Sequence, residues 1–554
     1  MDNLLDLVER HARSAPRKIA LSRWISGDGF VETSYAQLLR RAHRLAGRLA
    51  ALAPPQTILP MLVGKSAEGI ACMLAAVGLG RPFCFISTKY RAPQIAAVLD
   101  ATASPVCIAD SAGLVALRRA AKDHPRIVRT TWAVVGKAGS SAGDAQATDE
   151  LRAATNVIAL DDDDRRSSRQ MVRPEAATET TAAACLFTSG STGQPKGVLV
   201  GAADLMQRVA AEIAWFDLTT ADVLLSILPF SFDVGLNQLM TALAVGAELV
   251  LLDSWLPADI LRATERRKIT GIAAVPSIWQ DMINSGAHFE TSAPHASLRY
   301  VTISGGSLPR SSLQRLPDVV GGAGIFKTYG QTEAFRATSL RPEDYARKLD
   351  SVGQPFPGVH IYVVREDGSR CPVDEVGEVV HTGLGVMMGY LGDSNGNAKL
   401  RANPFLGGDD RSPLAIFTGD MGCVDGEGYL YLKGRRDSML KVLGNRVYPQ
   451  EVTNQIMTIP GVAEAAVVAK PQADGQMRLV AFLTASRGVE LSAATVRKTL
   501  TTKLPAFMIP KDFVFVSQMP RTTSGKVDER RLAEELAAVP DAMATRPHTL
   551  ELKT

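Results

Sequence analysis

The stretch Ala182-Ala-Ala-Cys-Leu-Phe-Thr188-Ser-Gly-Ser-Thr-Gly-Gln-Pro-Lys-Gly197 joins an apolar run to a loop of glycines and hydroxyls. The run AAACLF has the length of a buried strand. Gly190, Gly193 and Gly197 permit tight turns and close approach of the backbone to a ligand. The hydroxyls of Thr188, Ser189, Ser191 and Thr192, with the Lys196 ammonium, supply donors and a cation for a polyphosphate. The plain alternative is a flexible surface loop. The pattern GxxxxGK[ST] fits nowhere in the chain, so this is not a Walker A loop. Gly383-Leu-Gly385-Val-Met-Met-Gly389 is not a dinucleotide fingerprint either, because its last glycine falls one residue late.

Outward from this loop, short apolar runs alternate with helical patterns. VLLSILPF (223–230) precedes a helical stretch through Leu239 to Leu243, then AELVLLD, LPADILRATERRKI, GIAAVPSI and RYVTIS follow. This alternation predicts a parallel sheet with helices on its faces. The runs lack period-2 alternation, as expected when both faces of a strand are buried. Upstream, Thr33 and Ser34 precede YAQLLRRAHRLAGRLAAL, where Leu38, Ala42, Leu45 and Leu49 recur at helical spacing behind a capping residue. Residues 136–170 are rich in Ala, Ser and Asp and read as a solvated connection. After Gly434 the chain carries further strands (GVAEAAVVAK, RLVAFLTA, DFVFVS) and helices, enough for a separate small domain. The tail after Val539 reads as frayed.

The chain has 554 residues, 46% hydrophobic and 21% charged, which predicts two to four globular units. Lys plus Arg (61) against Asp plus Glu (57) leaves +4, whereas a nucleic-acid binder normally carries a stronger basic bias. The six cysteines form no CxxC pair, which argues against a disulfide framework or zinc knuckle and points to a reducing cytoplasm. The opening MDNLLDLVERHARSAP is charged and amphipathic, without an apolar signal core. The longest apolar stretch, Gly69 to Gly80, falls short of the roughly 20 residues that span a bilayer. A soluble, cytoplasmic protein without nucleic-acid or membrane partners is expected.

The segment TSGSTGQPKG resembles the signature of the AMP-forming adenylating enzymes: acyl-CoA synthetases, aryl-acid ligases, carrier-protein adenylation domains and luciferases. Other blocks follow in that superfamily's order over nearly the whole chain. They are Ser304-Gly-Gly-Ser307, Tyr329-Gly-Gln-Thr-Glu333, Gly377-Glu378 with HTGLGVMMGY, and Phe417-Thr-Gly-Asp420. Gly434-Arg-Arg-Asp437 comes next, with Lys441, Gly444, Arg446 and Pro449-Gln-Glu451, and Arg521-Thr-Thr-Ser-Gly-Lys526-Val-Asp closes the series. The resemblance implies an α/β fold with a large multi-subdomain N-terminal domain of mostly parallel sheets, residues 1–434. A small mobile α+β lid, residues 435–554, would rotate at Asp437.

It also implies a reaction. A carboxylic acid, either an amino acid or an acyl acid, is activated with ATP and Mg²⁺ as acyl-AMP, with release of pyrophosphate. The acyl group then passes to the thiol of coenzyme A or of phosphopantetheine on a separate carrier protein. After Leu536 too little chain remains for a carrier domain, so the thiol is expected from elsewhere. A carboxylate with pKa near 4 is already ionised, so attack on phosphorus needs no general base. This agrees with the lack of a convincing Ser/His/Asp or Cys/His set among eight histidines. The difficulty is anion–anion repulsion, which cations and fixed N–H donors must offset.

By resemblance, Lys526 bridges the substrate carboxylate and the α-phosphate, and the 188–197 loop, with Thr188 and Gly190, holds the outer phosphates. Glu333 helps hold Mg²⁺. Asp420 takes the ribose hydroxyls with Arg435 nearby, and Tyr329 stacks on adenine. Gly305, Gly306, Gly330 and Thr332 flank the nucleotide, and Gly444 meets pantetheine. Read singly, Asp420 could be a turn residue, Glu333 a helix-start charge and Lys526 a solvated lysine.

The resemblance places Pro229-Phe-Ser-Phe-Asp-Val-Gly-Leu-Asn237 along the acyl pocket, with Asp233 where amino-acid-activating members pair the substrate ammonium. Those members read FDxS; this chain reads FDVG, followed by Asn237 and Gln238. Val234, Ile303, Gly305, Thr328, Arg336 and Ala337 complete the implied lining. Arg336 is expected to neutralise Asp233, the alternative being a second substrate carboxylate. The chain looks most like freestanding bacterial acyl or aminoacyl ligases. Two other classes compete. A luciferase-like oxygenase usually ends in SKL, whereas this chain ends ELKT. A catalytically silent relative is opposed by intact Lys526, Glu333 and Asp420.

Overall fold

A computed structural model of the chain describes residues 2–25, 29–124, 127, 130–135, 157–160, 181–189, 195–289, 297–392, 399–436, 438, 440–442, 445–471, 477–486, 488–522, 525–538 and 549–550. Within them the expected alternation is present. One nine-stranded sheet runs from Gln354–Pro355 through Phe335–Leu340, Gly324–Gln331, Tyr300–Ile303, Gly271–Ala274, Val223–Ser226, Glu248–Leu251 and Ile19–Trp24 to Phe30–Ser34. Its six strands from Gly324–Gln331 to Ile19–Trp24 are parallel. An eight-stranded sheet runs from Gly389–Tyr390 through Pro195–Gly201, Ala182–Ser189, Phe83–Phe85, Leu59–Leu62, Val106–Ala109 and Thr131–Val134 to Val157–Ala159. It is parallel from Ala182–Ser189 onward.

One apolar core draws on both sheets and on the helices Leu4–Ser14, Tyr35–Leu52, Ala67–Gly78 and Asp233–Val245. The helix Tyr35–Leu52 starts as its sequence predicts: Ser34 accepts from the Gln37 amide, and Leu38, Ala42, Leu45 and Leu49 are buried. Lys65 fastens the two sheets together. Its buried Nζ follows the strand Leu59–Leu62 and donates to the carbonyls of Ser226 (2.9 Å), Ile227 (3.1 Å) and Leu252 at the ends of strands in the other sheet.

A third, antiparallel sheet contains Val359–Val364, Gly377–Gly383, Leu414–Val424, Leu400–Ala402 and Leu430–Arg435. Beyond it lies a smaller α+β unit. Its sheet is Val462–Pro471, Met477–Ala485, Asp512–Val516 and Thr549–Leu550, covered by Pro449–Ile456, Ala493–Thr501 and Glu529–Ala538, with apolar clusters of its own.

Two expectations are corrected. The connection 136–170 contains a strand, Val157–Ala159, which extends the eight-stranded sheet against Thr131–Val134. The tail contains Thr549–Leu550, which pairs in parallel with Phe515 and Val516. Both borrow their hydrogen bonds from a distant edge, so local composition gives no sign of them. The cysteines are all free. Among the described residues, no helix is long and apolar enough to cross a membrane.

Candidate active site

The strands Ala182–Ser189 and Pro195–Gly201 pair antiparallel, with Thr188 opposite Lys196 and Ser189 opposite Pro195. The glycine- and hydroxyl-rich segment thus begins and ends on paired strands, and residues 190–194 lie outside the described residues. Gly190, Ser191 and Thr192, and the side chain of Ser189, lie outside the described residues. Lys196 Nζ sits 5.4 Å from the Tyr390 ring centroid. The Tyr390 hydroxyl donates to Glu333 Oε1 (2.6 Å), and Lys399 Nζ reaches the same oxygen at 3.0 Å. Burial alone would raise the Glu333 carboxyl, but the Lys399 charge and these hydrogen bonds hold it below the usual glutamate range. Glu333 is thus an ionised, buried carboxylate in one cluster with Lys196.

Gly324–Gln331 and Phe335–Leu340 form a second hairpin, whose tip carries Thr332 and Glu333. Gly330 opposes Arg336 across it, and a Cβ at Gly330 would lie 1.8 Å from the Phe335 carbonyl oxygen. Only glycine fits there. One step back, the Tyr329 hydroxyl donates to Asp420 Oδ2 (2.6 Å), and Arg435 Nη1 lies 3.2 Å from Asp420 Oδ1. Strand pairing sets Asp420 directly opposite Arg435. Glu378 braces this group: Oε1 accepts from the Gly419 amide (3.0 Å) and Oε2 from Arg436 (2.8 Å).

Lys526 belongs to the small unit, in a turn where the Thr522 amide donates to the Lys526 carbonyl (2.8 Å) and Arg521 bridges Val527. Its side chain crosses to the large unit: a Cβ built on Gly305 would stand 3.4 Å from Lys526 Cε and 3.3 Å from Phe232 Cζ. Gly305 has φ +82°, so both conformation and space favour glycine there. A cavity of about 360 Å³ opens beside this crossing, lined by Gly305, Gly306, Gln450, Glu464, Arg521 and Lys526 among others.

Asp233 begins the helix Asp233–Val245 and is buried. It accepts from the Val234 amide (2.8 Å) and the Thr332 hydroxyl (3.2 Å). Burial pushes its carboxyl up, while the Lys526 charge and those two hydrogen bonds pull it down; the net direction is upward. Thr328 is committed to Ser304 (2.6 Å between hydroxyl oxygens) and to the Ile303 carbonyl (3.2 Å). Ile303 and Ala337 are buried within their strands.

Arg336 does not neutralise Asp233. Its Nε donates to Glu212 Oε1 (2.6 Å), the two side chains are 8% and 5% exposed, and its guanidinium lies over the rings of Phe216 (5.3 Å) and Phe356 (5.6 Å). Position 336 points into the layer toward the helix Ala202–Trp215, where Glu212 already waits. Its charge is matched, so a second substrate carboxylate would meet no free cation. Sequence reading also missed Lys399, the partner of Glu333, and Trp255, which packs beside Gly525. Glu212 and Lys399 carry no local motif, whereas Glu378 and Tyr390 lay within quoted blocks without a role. Asp437 and Gly444, and the side chains of Lys441 and Arg446, lie outside the described residues.

Comparison with known proteins places this geometry. The profile of the AMP-binding enzyme family matches residues 8–391, and that of the AMP-binding enzyme C-terminal domain matches residues 451–526. Bacitracin synthase 3 from Bacillus licheniformis is 28% identical over 530 residues, covering 93% of this chain and 8% of that protein. Indoleacetate–CoA ligase from Aromatoleum aromaticum is 28% identical over 534 residues, covering 95% of this chain and 96% of the ligase. The chain spans under a tenth of the length of several curated relatives that it matches. The solved structure of ATP-bound MatB from Rhodopseudomonas palustris superposes with a TM-score of 0.78 at 25% identity, covering 96% of this chain and 99% of MatB.

Proposed function

Because the chain belongs to the AMP-binding enzyme family, we propose that it is an AMP-forming acid–thiol ligase. It activates a small carboxylic acid with ATP and passes the acyl group to the thiol of coenzyme A or of a carrier protein's phosphopantetheine. A cytoplasmic setting belongs to the same reading, supported by the free cysteines. The observation that carries the proposal is the crossing of Lys526 from the small unit to Gly305, within reach of the Asp233 charge.

In the first step a carboxylate oxygen attacks the α-phosphorus, a P–O bond forms, and the bond to pyrophosphate breaks. No proton has to be removed from the acid. The two anions repel, and Lys526 supplies positive charge where they meet. Thr188 and Lys196 stand across the first hairpin for the outer phosphates. Asp420, fixed by Tyr329 and Arg435, is assigned to the ribose, and Gly305, Gly306, Gly330 and Thr332 to the flanks of the base and α-phosphate. Glu333 fits a Mg²⁺ ion, being buried, ionised and linked through Tyr390 to the Lys196 side of the first hairpin; Mg²⁺ is commonly held by one or two carboxylates plus phosphate and water oxygens. Bound there, the ion would neutralise phosphate charge. In the second step the thiol gives up its proton to solvent, its sulfur attacks the acyl carbon, and AMP leaves with the electrons of the broken C–O bond.

The reading includes a division at residues 1–434 and 435–554, with Asp437 as the swivel that changes the face presented by the small unit. Asp233 supports an amino acid as the substrate, since a buried carboxylate calls for a cation. Acid-dependent ATP–pyrophosphate exchange tests the whole proposal. Lys526→Ala should lower exchange by about 10²–10³-fold at saturating substrates, the scale of losing one preorganised donor. Undiminished exchange in that variant would refute it.

A further inference from the structure

Lys399 belongs to none of the motif blocks, yet its Nζ reaches two acceptors around the tip of the second hairpin. They are Glu333 Oε1 (3.0 Å) and Gln331 Oε1 (3.1 Å). Its main chain is set from the ribose side of the site. The Phe417 amide donates to the Lys399 carbonyl (2.8 Å), and Phe417 lies on Leu414–Val424, the strand that carries Asp420. Lys399 thus ties the strand of Asp420 to the hairpin of Glu333. The side chains of Lys399 and Glu333 are 28% and 10% exposed, so water screens the pair only in part.

Glu333 is held at both ends. The Met387 amide donates to its carbonyl (3.0 Å) and fixes the main chain. At the other end Tyr390 and Lys399 both donate to Oε1, and among the described residues no side chain donates to Oε2. One bond would suffice to neutralise a structural carboxylate. Two donors on a single oxygen also set the rotation of the group and keep its second oxygen uncommitted. Removing such a partner from a metal-ligating side chain costs about 10–100-fold in metal affinity or activity. The Lys399 ammonium also repels a dication. That repulsion is offset because the ion arrives with a triphosphate, whose larger negative charge is drawn to the lysine.

Resting on the assignment of Glu333 to Mg²⁺, we propose that Lys399 is a positioning residue for adenylation. Through Oε1 it fixes the rotation of Glu333 and leaves Oε2 to the metal ion that accompanies ATP.

Calorimetry on the full chain tests this by binding rather than turnover. The affinity for the Mn²⁺ complex of α,β-methylene-ATP is compared with that for the analogue alone in EDTA, and their ratio is the metal's share of binding. Lys399→Met should shrink that ratio by about tenfold. Lys399→Arg, which keeps the charge and the donors, should restore most of it. Tyr390→Phe keeps the ring beside Lys196 but removes the other donor to Oε1, and it should also shrink the ratio. That variant decides the matter where Lys399→Met fails to fold. In a Glu333→Gln chain, Lys399→Met should change nothing further, because its effect runs through that carboxylate. An unchanged or larger ratio in Lys399→Met overturns the inference. So does an equal loss of affinity with and without metal, which would mean that Lys399 meets phosphate directly. A Glu333→Gln chain that keeps the parent's ratio defeats the Mg²⁺ assignment itself, and this inference with it.

Discussion

Burial raises the Asp233 carboxyl above the ordinary aspartate range, against the pull of the Lys526 charge and of hydrogen bonds from Val234 and Thr332. Between the unfolded value and this raised one, the folded chain binds more protons than the unfolded chain. Stability therefore falls as pH rises through that window and stays lower at neutral pH. Asp233→Asn removes the penalty. The unliganded variant should melt above the parent at neutral pH, and the gap should close below the ordinary aspartate pKa of about 3.9. The same variant should lose exchange with amino acids while acids lacking an amine suffer less; equal loss in both sets would remove the ammonium role. Asp233 and Lys526 were legible because each sits in a local motif. Arg336 was misread because its partner, Glu212, lies 124 positions away.

At the scale of elements, the lysine turn has a seat that its own sequence does not reveal. Gly525 has φ +87°, and a Cβ there would lie 3.0 Å from Trp255 Cη2. Trp255 is fixed by its Nε1–H, which donates to the Ile227 carbonyl (3.1 Å), and Lys89 Nζ lies 4.0 Å from its ring centroid. The ring thus sets where the turn stops as Lys526 enters the cleft. Trp255→Ala should lower kcat for exchange by about tenfold with little change in KM for ATP, the loss expected when a positioned group drifts. Trp255→Phe should recover most of it, and thiol transfer from preformed adenylate should be nearly untouched. The helices and central strands around this seat were readable, since capping, helical spacing and unbroken apolar runs are local. Val157–Ala159 and Thr549–Leu550 were not, because an edge strand exists only through the neighbour that pairs with it.

Across the whole molecule, Lys65 joins the two large sheets. Burial pushes its ammonium down to about 8, with Asp253 opposing. Lys65→Met would leave three carbonyls without their donor and should destabilise the fold by about 3–5 kcal/mol, the cost of breaking a buried charged contact; thermal unfolding would measure it. The folded chain releases this proton near 8 and the unfolded chain near 10.4. The parent's advantage over Lys65→Met should therefore widen as pH climbs through that window. The proposed swivel is tested at the same scale. Asp437→Pro should spare pyrophosphate release more than thioester yield, because only the second step needs the small unit to turn; equal losses would argue against a hinge.

The order of the motifs and the alternation of strands and helices determined the family, the layered α/β architecture and the residues offered to nucleotide and acid. Those features depend on neighbours within a few positions, and local spacing records them. The pairing of charges was decided by tertiary structure alone. Glu212 reaches Arg336, Lys399 reaches Glu333, and Asp233 meets the charge of Lys526 from the small unit. A charge in a low-dielectric interior is governed by whatever lies within a few ångströms, and the chain brings those groups together from positions far apart in sequence.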